Sequence, residues 1–336
     1  MNFVGVPDLL TAGQSSRTLT RVNQDLARVT QELSSGLRSD LVQASGGDPT
    51  RLYSIESELR LSEVRQFAVS QAKGRSAVTQ SALERIQATL GDFGAPLLSA
   101  VTLNDLQAAE TISSSARGAF SEVVSAVNSR FGDRSLFAGA ATDGPALADA
   151  DAILGDVSAL IAGAADAGEV LTAIETYFSD PAGFQANGFL GSAVDAPDVE
   201  LDDGEFVSYA VRADDVEIRE VLSTLAIAVI GSEGGFAGEN VEERQLLLGA
   251  ASRRSITASD QIVGLRGELG VAEERFEEAS VRLRAEEDML RQARSSIVAR
   301  DPFEAAIELS AIETQVQAIF SITARLSTLT LTNFLR

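Results

Sequence analysis

The chain has 336 residues, 45% of them hydrophobic, which is enough to bury a core and, on length alone, to make two domains. It has no His, Cys or Trp and a single Lys, Lys73, so the usual zinc and transition-metal ligand sets cannot be built, nor can a Ser-His-Asp or Cys-His nucleophile. A net charge of −22 opposes phosphate binding, argues against a nucleic-acid partner, and keeps copies soluble and apart.

Residues 1–13, with Gly5 and Pro7, show no clean period and read as a flexible lead. They lack a basic n-region and a sustained apolar run, and no stretch reaches membrane-spanning length, so neither a cleaved signal peptide nor membrane insertion is expected. Leu19, Val22, Leu26, Val29 and Leu33 then recur at alternating steps of three and four, a heptad stripe on a helix that should order mainly against a partner. Gly36 can end that helix in a left-handed conformation. Residues 39–50, with Gly46, Gly47 and Pro49, read as an irregular connector, and residues 48–61 restart a helix with Leu52, Ile55 and Leu59 on one face.

A third stripe, through Val69, Leu83, Ile86, Leu90 and Phe93, is expected to break at Gly91, Gly94 and Pro96. A fourth runs through Leu106, Phe120, Val123 and Val127. Around Phe131 the helical period stops, and GDRSLFAGAATDGPAL predicts a tight hairpin or bend. Residues 146–215 are Ala-, Gly- and Asp-rich and predict weak helices over 153–161 and 170–178, then short strands at 199–201 and 206–211. Residues 195–220 carry ten acidic side chains, but Asp203 stands where a calcium loop of the EF-hand type needs its turn glycine, so a solvated acidic face is expected there. No metal or cofactor is called for.

Ile218, Val221, Leu222, Leu225 and Val229 restore the helical pattern, and the glycine cluster 231–238 reads as a turn, since no Lys follows it. The longest seam lies in residues 255–300: Ile262, Leu265, Leu269, Ala272, Phe276, Ala279, Leu283, Glu286, Leu290, Ala293 and Ile297. It would be roughly 54 Å long at 1.5 Å per residue. Glu286, its one charged member, is within i,i+4 reach of Arg282, while Glu287 belongs to the solvated faces. After Asp301 and Pro302 a last helix carries Leu309, Ile312, Val316, Ile319 and Leu326, and it ends on an apolar NFLR with Phe334 and Leu335. Its natural partner is the N-terminal stripe. The fold expected is mainly α: an elongated helical bundle or coiled-coil rod built from both chain ends, with a small inserted α+β domain.

Two ends that pair around a rod and an insert are the architecture of the bacterial flagellin family, and ELSSGLR at 32–38 resembles that family's N-terminal motif. GGDPTRLYSIESEL at 46–59, RSLFAGAATDGPAL at 134–147 and LTLTNFL at 329–335 are most similar to the family's hook-filament junction branch, the hook-associated protein 3 type, although SSGLR is closer to filament flagellin. The resemblance implies a structural subunit with no enzymatic role, exported unfolded by the flagellar type III apparatus after binding a chaperone. It would form an extracellular ring between a neighbouring hook-associated junction protein and flagellin. By it, residues 1–45 are an assembly helix and connector, 46–147 and 216–300 the rod, 148–215 an outer domain, and 301–336 the second assembly helix. Leu19, Val22, Leu26, Val29, Leu33, Leu309, Ile312, Val316, Ile319, Leu326, Phe334 and Leu335 would make the assembly interface. Leu83, Ile86, Leu90, Phe120, Val123, Val127, Ile262, Leu265, Leu269, Phe276, Leu283, Leu290 and Ile297 would make the rod core. A filament flagellin, a generic coiled-coil scaffold and a carboxylate-pair hydrolase in the insert remain as alternatives.

Overall fold

Sequence periodicity of 3.5 to 3.6 over most of the chain gives a mainly α protein. The computed structural model describes residues 6–334, and side chains for residues 13–325 apart from Ser15 and Gln43. In chain order the elements are α1 (Val6–Ser35), α2 (Leu41–Ala44), α3 (Thr50–Thr102), α4 (Leu106–Ser113), α5 (Ala116–Val127), β1 (Arg130–Phe131), β2 (Arg134–Ser135), α6 (Ala150–Ile161), α7 (Ala167–Ser179), α8 (Phe184–Asn187), β3 (Val199–Asp202), β4 (Glu205–Val207), α9 (Val216–Glu233), α10 (Val241–Val298) and α11 (Pro302–Phe334). They fall into two compact units, one of residues 1–63 and 285–336, the other of residues 64–284.

Two helices run further than their sequence suggests. α1 begins at Val6 rather than after Gly13, because Pro7 sits in the first turn, where a missing N–H costs nothing. α3 passes through Gly91, Gly94 and Pro96 without a break. Pro96 and Asp92 are both exposed, so the carbonyl freed by the missing N–H faces water, while buried Phe93, Leu97 and Ala100 hold the turn in place. Gly94 allows a close crossing: a Cβ there would lie 2.2 Å from the Ser255 Oγ, which donates to the Leu90 carbonyl at 3.0 Å.

In the unit of residues 64–284, α9 is the central element. Residues 221–231 are buried all round, as an almost uninterrupted apolar helix must be. Leu83, Ile86, Leu90, Phe120, Val123, Val127, Ile262 and Leu269 share one buried cluster with it, with Leu265 half-buried at its edge. Ile153, Leu154, Val157, Val170, Ile174 and Phe178 belong to that same cluster, so the outer domain expected at 148–215 has no separate core: α6 and α7 use their apolar faces on α9. The β1–β2 hairpin forms at 130–135, and Leu136, Phe137 and Ala138 after it are buried.

The second hairpin, β3–β4, covers a different stretch of the α3 and α10 pair. Val199, Leu201 and Val207 pack with Val69, Ala72, Phe276, Ala279 and Leu283, and the Tyr209 ring stands edge-on to Phe276. The acids of residues 195–220 are exposed or half-buried except Asp214, as a solvated acidic face requires, and several of them pair with arginines. Arg65 pairs with Glu200 at 2.8 Å, Arg282 with Glu205 at 3.3 Å, and Arg212 with Asp195 and Asp214 at 2.7 and 2.8 Å. Arg282 therefore serves this hairpin. Burial is the main cause that pushes the Asp215 carboxyl above its ordinary value. Between α3 and α10 polar rungs recur: Gln66 to Ser280 at 3.0 Å, Ser76 to Glu273 at 2.8 Å, and Gln80 to the Arg266 carbonyl at 2.8 Å. Because a shifted pairing would strand these groups unpartnered, they specify one register.

Towards its end α10 departs from the heptad seam. Leu290 and Ile297 are half-buried, whereas Glu287 and Val298, each one residue from an expected seam position, are buried. A straight 3.6-residue helix drifts about 20° per heptad from a 3.5-residue repeat, so over five heptads the inward face moves by about one residue. Glu287, placed by its charge on the solvated side, is carried inward and pairs with Arg291 at 3.0 Å.

Candidate functional site

The second unit, residues 1–63 and 285–336, is built on α1 and α11, which run antiparallel as the Arg28–Glu308 and Arg38–Glu304 pairs require. Their shared core is small. Val22, Val29 and Ile312 are buried, with Leu26, Leu309, Val316 and Ile319 packed half-exposed around them. Leu19 is half-buried and Leu33 exposed. The Leu326 and Phe334 side chains and all of Leu335 lie outside the described residues. α11 leaves Phe303, Ile307, Phe320 and Ile322 exposed, whereas the outward side of α1 is polar, with Asn23, Gln24, Thr30 and Gln31.

Where the pair ends, a charged joint holds three segments together. α1 stops at Ser35, Gly36 takes φ +71°, and the next residues cross the end of α10 as a bridge between Leu37 and Ala299. The bridge is closed by the Arg38 amide donating to the Val298 carbonyl at 2.8 Å and the Arg300 amide donating to the Gly36 carbonyl at 2.9 Å. Glu32 sits beneath it, its side chain 4% exposed, where the apolar stripe had placed Leu33. The Glu32 carboxylate accepts from the Ser39 amide at 2.8 Å and faces Arg28 at 3.5 Å and Arg300 at 3.6 Å. Burial alone would raise its pKa. The Ser39 hydrogen bond and the two guanidinium groups outweigh that and hold it below the ordinary carboxylate value.

Arg300, 9% exposed, also pairs with Glu304 at 3.4 Å and with Glu308. Arg28 reaches Glu308 at 3.0 Å and Arg38 reaches Glu304 at 3.5 Å, so three acids and three arginines alternate around the joint. Sequence periodicity misses Glu32 and Arg300, because one lies a residue off the stripe and the other 268 positions away. The signal that could have found Glu32 is its place at the head of ELSSGLR: the motif supplies the buried carboxylate, the left-handed glycine and the bridging Leu37.

Chemically the site offers packing and ion pairing. Among the described residues no group of three or more His, Cys, Asp or Glu side chains is arranged to hold a metal. No helix is long and apolar enough to cross a membrane, again among the described residues.

Residues 255–335, which take in α10 from Ser255 and all of α11, match the family described as the bacterial flagellin C-terminal helical region. No curated protein sequence matches the chain. Among solved structures, FlgL of Bacillus cereus is similar at 15% identity and TM-score 0.51, over 72% of this chain and 100% of that one. A Vibrio parahaemolyticus protein described as a flagellar hook-associated protein is 14% identical at TM-score 0.41, over 72% of this chain and 98% of that one. Residues 255–335 are thus similar to the helical region with which bacterial flagellins end, and the fold is similar to that of the Bacillus cereus FlgL.

Proposed function

We propose that this protein is a structural subunit of the bacterial flagellum that assembles through α1 and α11 at the junction between hook and filament. The observation that carries the reading is the match of residues 255–335 to the flagellin C-terminal region, together with an α1–α11 pair whose apolar core is, among the described residues, Val22, Val29 and Ile312. A helix pair with so little buried surface gains most of its order from neighbours, which is the property a subunit needs if it travels unfolded and sets on arrival. The likeness in fold to a FlgL and the junction-type motifs at 46–59 and 134–147 favour a junction ring over a filament. In this reading its partners are further copies of itself, the adjoining hook-associated protein, flagellin, and a chaperone that covers the terminal helices before export. Its place is outside the cell.

Epitope-tagged protein on isolated hook-basal bodies tests this. Label confined to the distal end of the hook, at a few copies per flagellum, is the expected result. Label along micrometre-long filaments would instead make the chain a filament flagellin, and absence from the flagellum would end the proposal.

A further inference from the structure

The α1 and α11 pair has two edges, and they differ in charge. At about 100° per residue, Glu308 lies about 40° to one side of buried Ile312 and Glu313 about 100° to the other, so the two acids flank the α1 contact on opposite edges. Arg28, paired with Glu308 at 3.0 Å, marks the first edge. Arg17 and Arg21 stand on the same side of α1 as Arg28, exposed and outside every ion pair found among the described residues. Asp25, the acid nearest them on α1, is engaged with Arg28 at 3.6 Å. Glu313 is exposed and likewise without an ion pair among the described residues. The apolar side chains divide in the same way: Phe320, 57% exposed, lies on the Glu313 edge two turns along, and Ile322, 55% exposed, on the arginine edge.

The chain as a whole is strongly acidic, with 27 basic residues against 49 acidic ones and a net charge of −22. In α1, by contrast, Arg17, Arg21 and Arg28 balance Asp8, Asp25 and Glu32, and residues 314–324 of α11 hold no charge. With Glu304, Glu308, Glu313 and Arg325 on α11 the pair carries a net charge of only −2, and its edges are complementary. We propose that the helix pair docks edge to edge on a second copy of this chain, with Arg17 and Arg21 of one copy facing Glu313 of the next and Phe320 and Ile322 packed at the seam. The proposal rests on self-assembly through α1 and α11, and it names the surface and the geometry. Because the two edges differ, each contact leaves one of each free, so copies add head to tail into a ring or an open array instead of closing as a two-fold dimer.

Charge exchange in the full-length chain tests it by sedimentation velocity. Glu313→Arg alone, or Arg17→Glu with Arg21→Glu, places like charges at the seam and should weaken self-association at least about tenfold. An equimolar mixture of the two variants restores both complementary contacts and should associate like the parent chain. A single chain carrying all three changes should do so too, which separates a failed contact from a damaged helix. Variants that associate like the parent, a mixture or triple variant that stays apart, or a parent chain that is monomeric at its solubility limit would each overturn the proposal. Correct localisation on the flagellum alongside any of these would leave the functional reading standing and reject only this seam.

Discussion

Glu32 is the residue on which the terminal unit turns. A carboxylate 4% exposed, facing an arginine 9% exposed, is held because every partner is present, and removing its charge leaves Arg300 with one counter-ion fewer in a nearly dry setting. Glu32→Gln should therefore cost about 2–3 kcal/mol in the stability of this unit at neutral pH, measurable as a loss of protection of α1 and α11 amides in hydrogen exchange. The pH dependence has a definite sign. Because the folded-state pKa of Glu32 is lowered, its contribution is complete above the unfolded carboxylate value of about 4.3 and is lost as pH falls through the folded one. The gap between parent and Glu32→Gln should then close in acid. A gap that persists at the acid end would mean that shape, and not charge, makes Glu32 matter.

At the scale of elements, apolar spacing read from the sequence locates nearly every helix, because a three-four repeat has one structural meaning over several turns. Its failures have physical causes. Pro96 reads as a breaker until its solvent-facing position is known, and Glu287 and Leu290 exchange places because the helix drifts against the heptad. The arginine partners of the acidic stretch 195–220 could not be read off, since Arg65 and Arg282 come from distant helices. The two α3 glycines make a contrasting test. Gly91 has open space around its missing side chain, so Gly91→Ala should stabilise by up to about 1 kcal/mol through helix propensity. Gly94→Ala gains the same propensity but drives a Cβ into Ser255 at 2.2 Å, and should be destabilising by about 1–2 kcal/mol net in urea titrations. Two similar values would refute the close crossing of α3 and α10.

Across the whole molecule, stability is unevenly shared. Residues 64–284 bury α9 on all sides with α5, α6 and α7 packed on it, while the apolar cluster that α1 and α11 share is, among the described residues, Val22, Val29 and Ile312, beside a ring of charges. Cooperative opening follows the density of buried contacts, so the terminal helices of a free subunit should open far more readily than the rest. The same contrast explains why the terminal pair is legible in the sequence as a stripe, yet the assembly role proposed for it rests on resemblance: a half-filled stripe leaves room for a partner without stating which. The most direct measurement is hydrogen exchange on the dilute full-length chain, repeated after assembly. The expected result is rapid exchange over α1 and α11 in the free chain, slow exchange over α9, and strong protection of α1 and α11 once copies are joined. Terminal helices already protected as strongly as α9 in dilute solution would contradict the account.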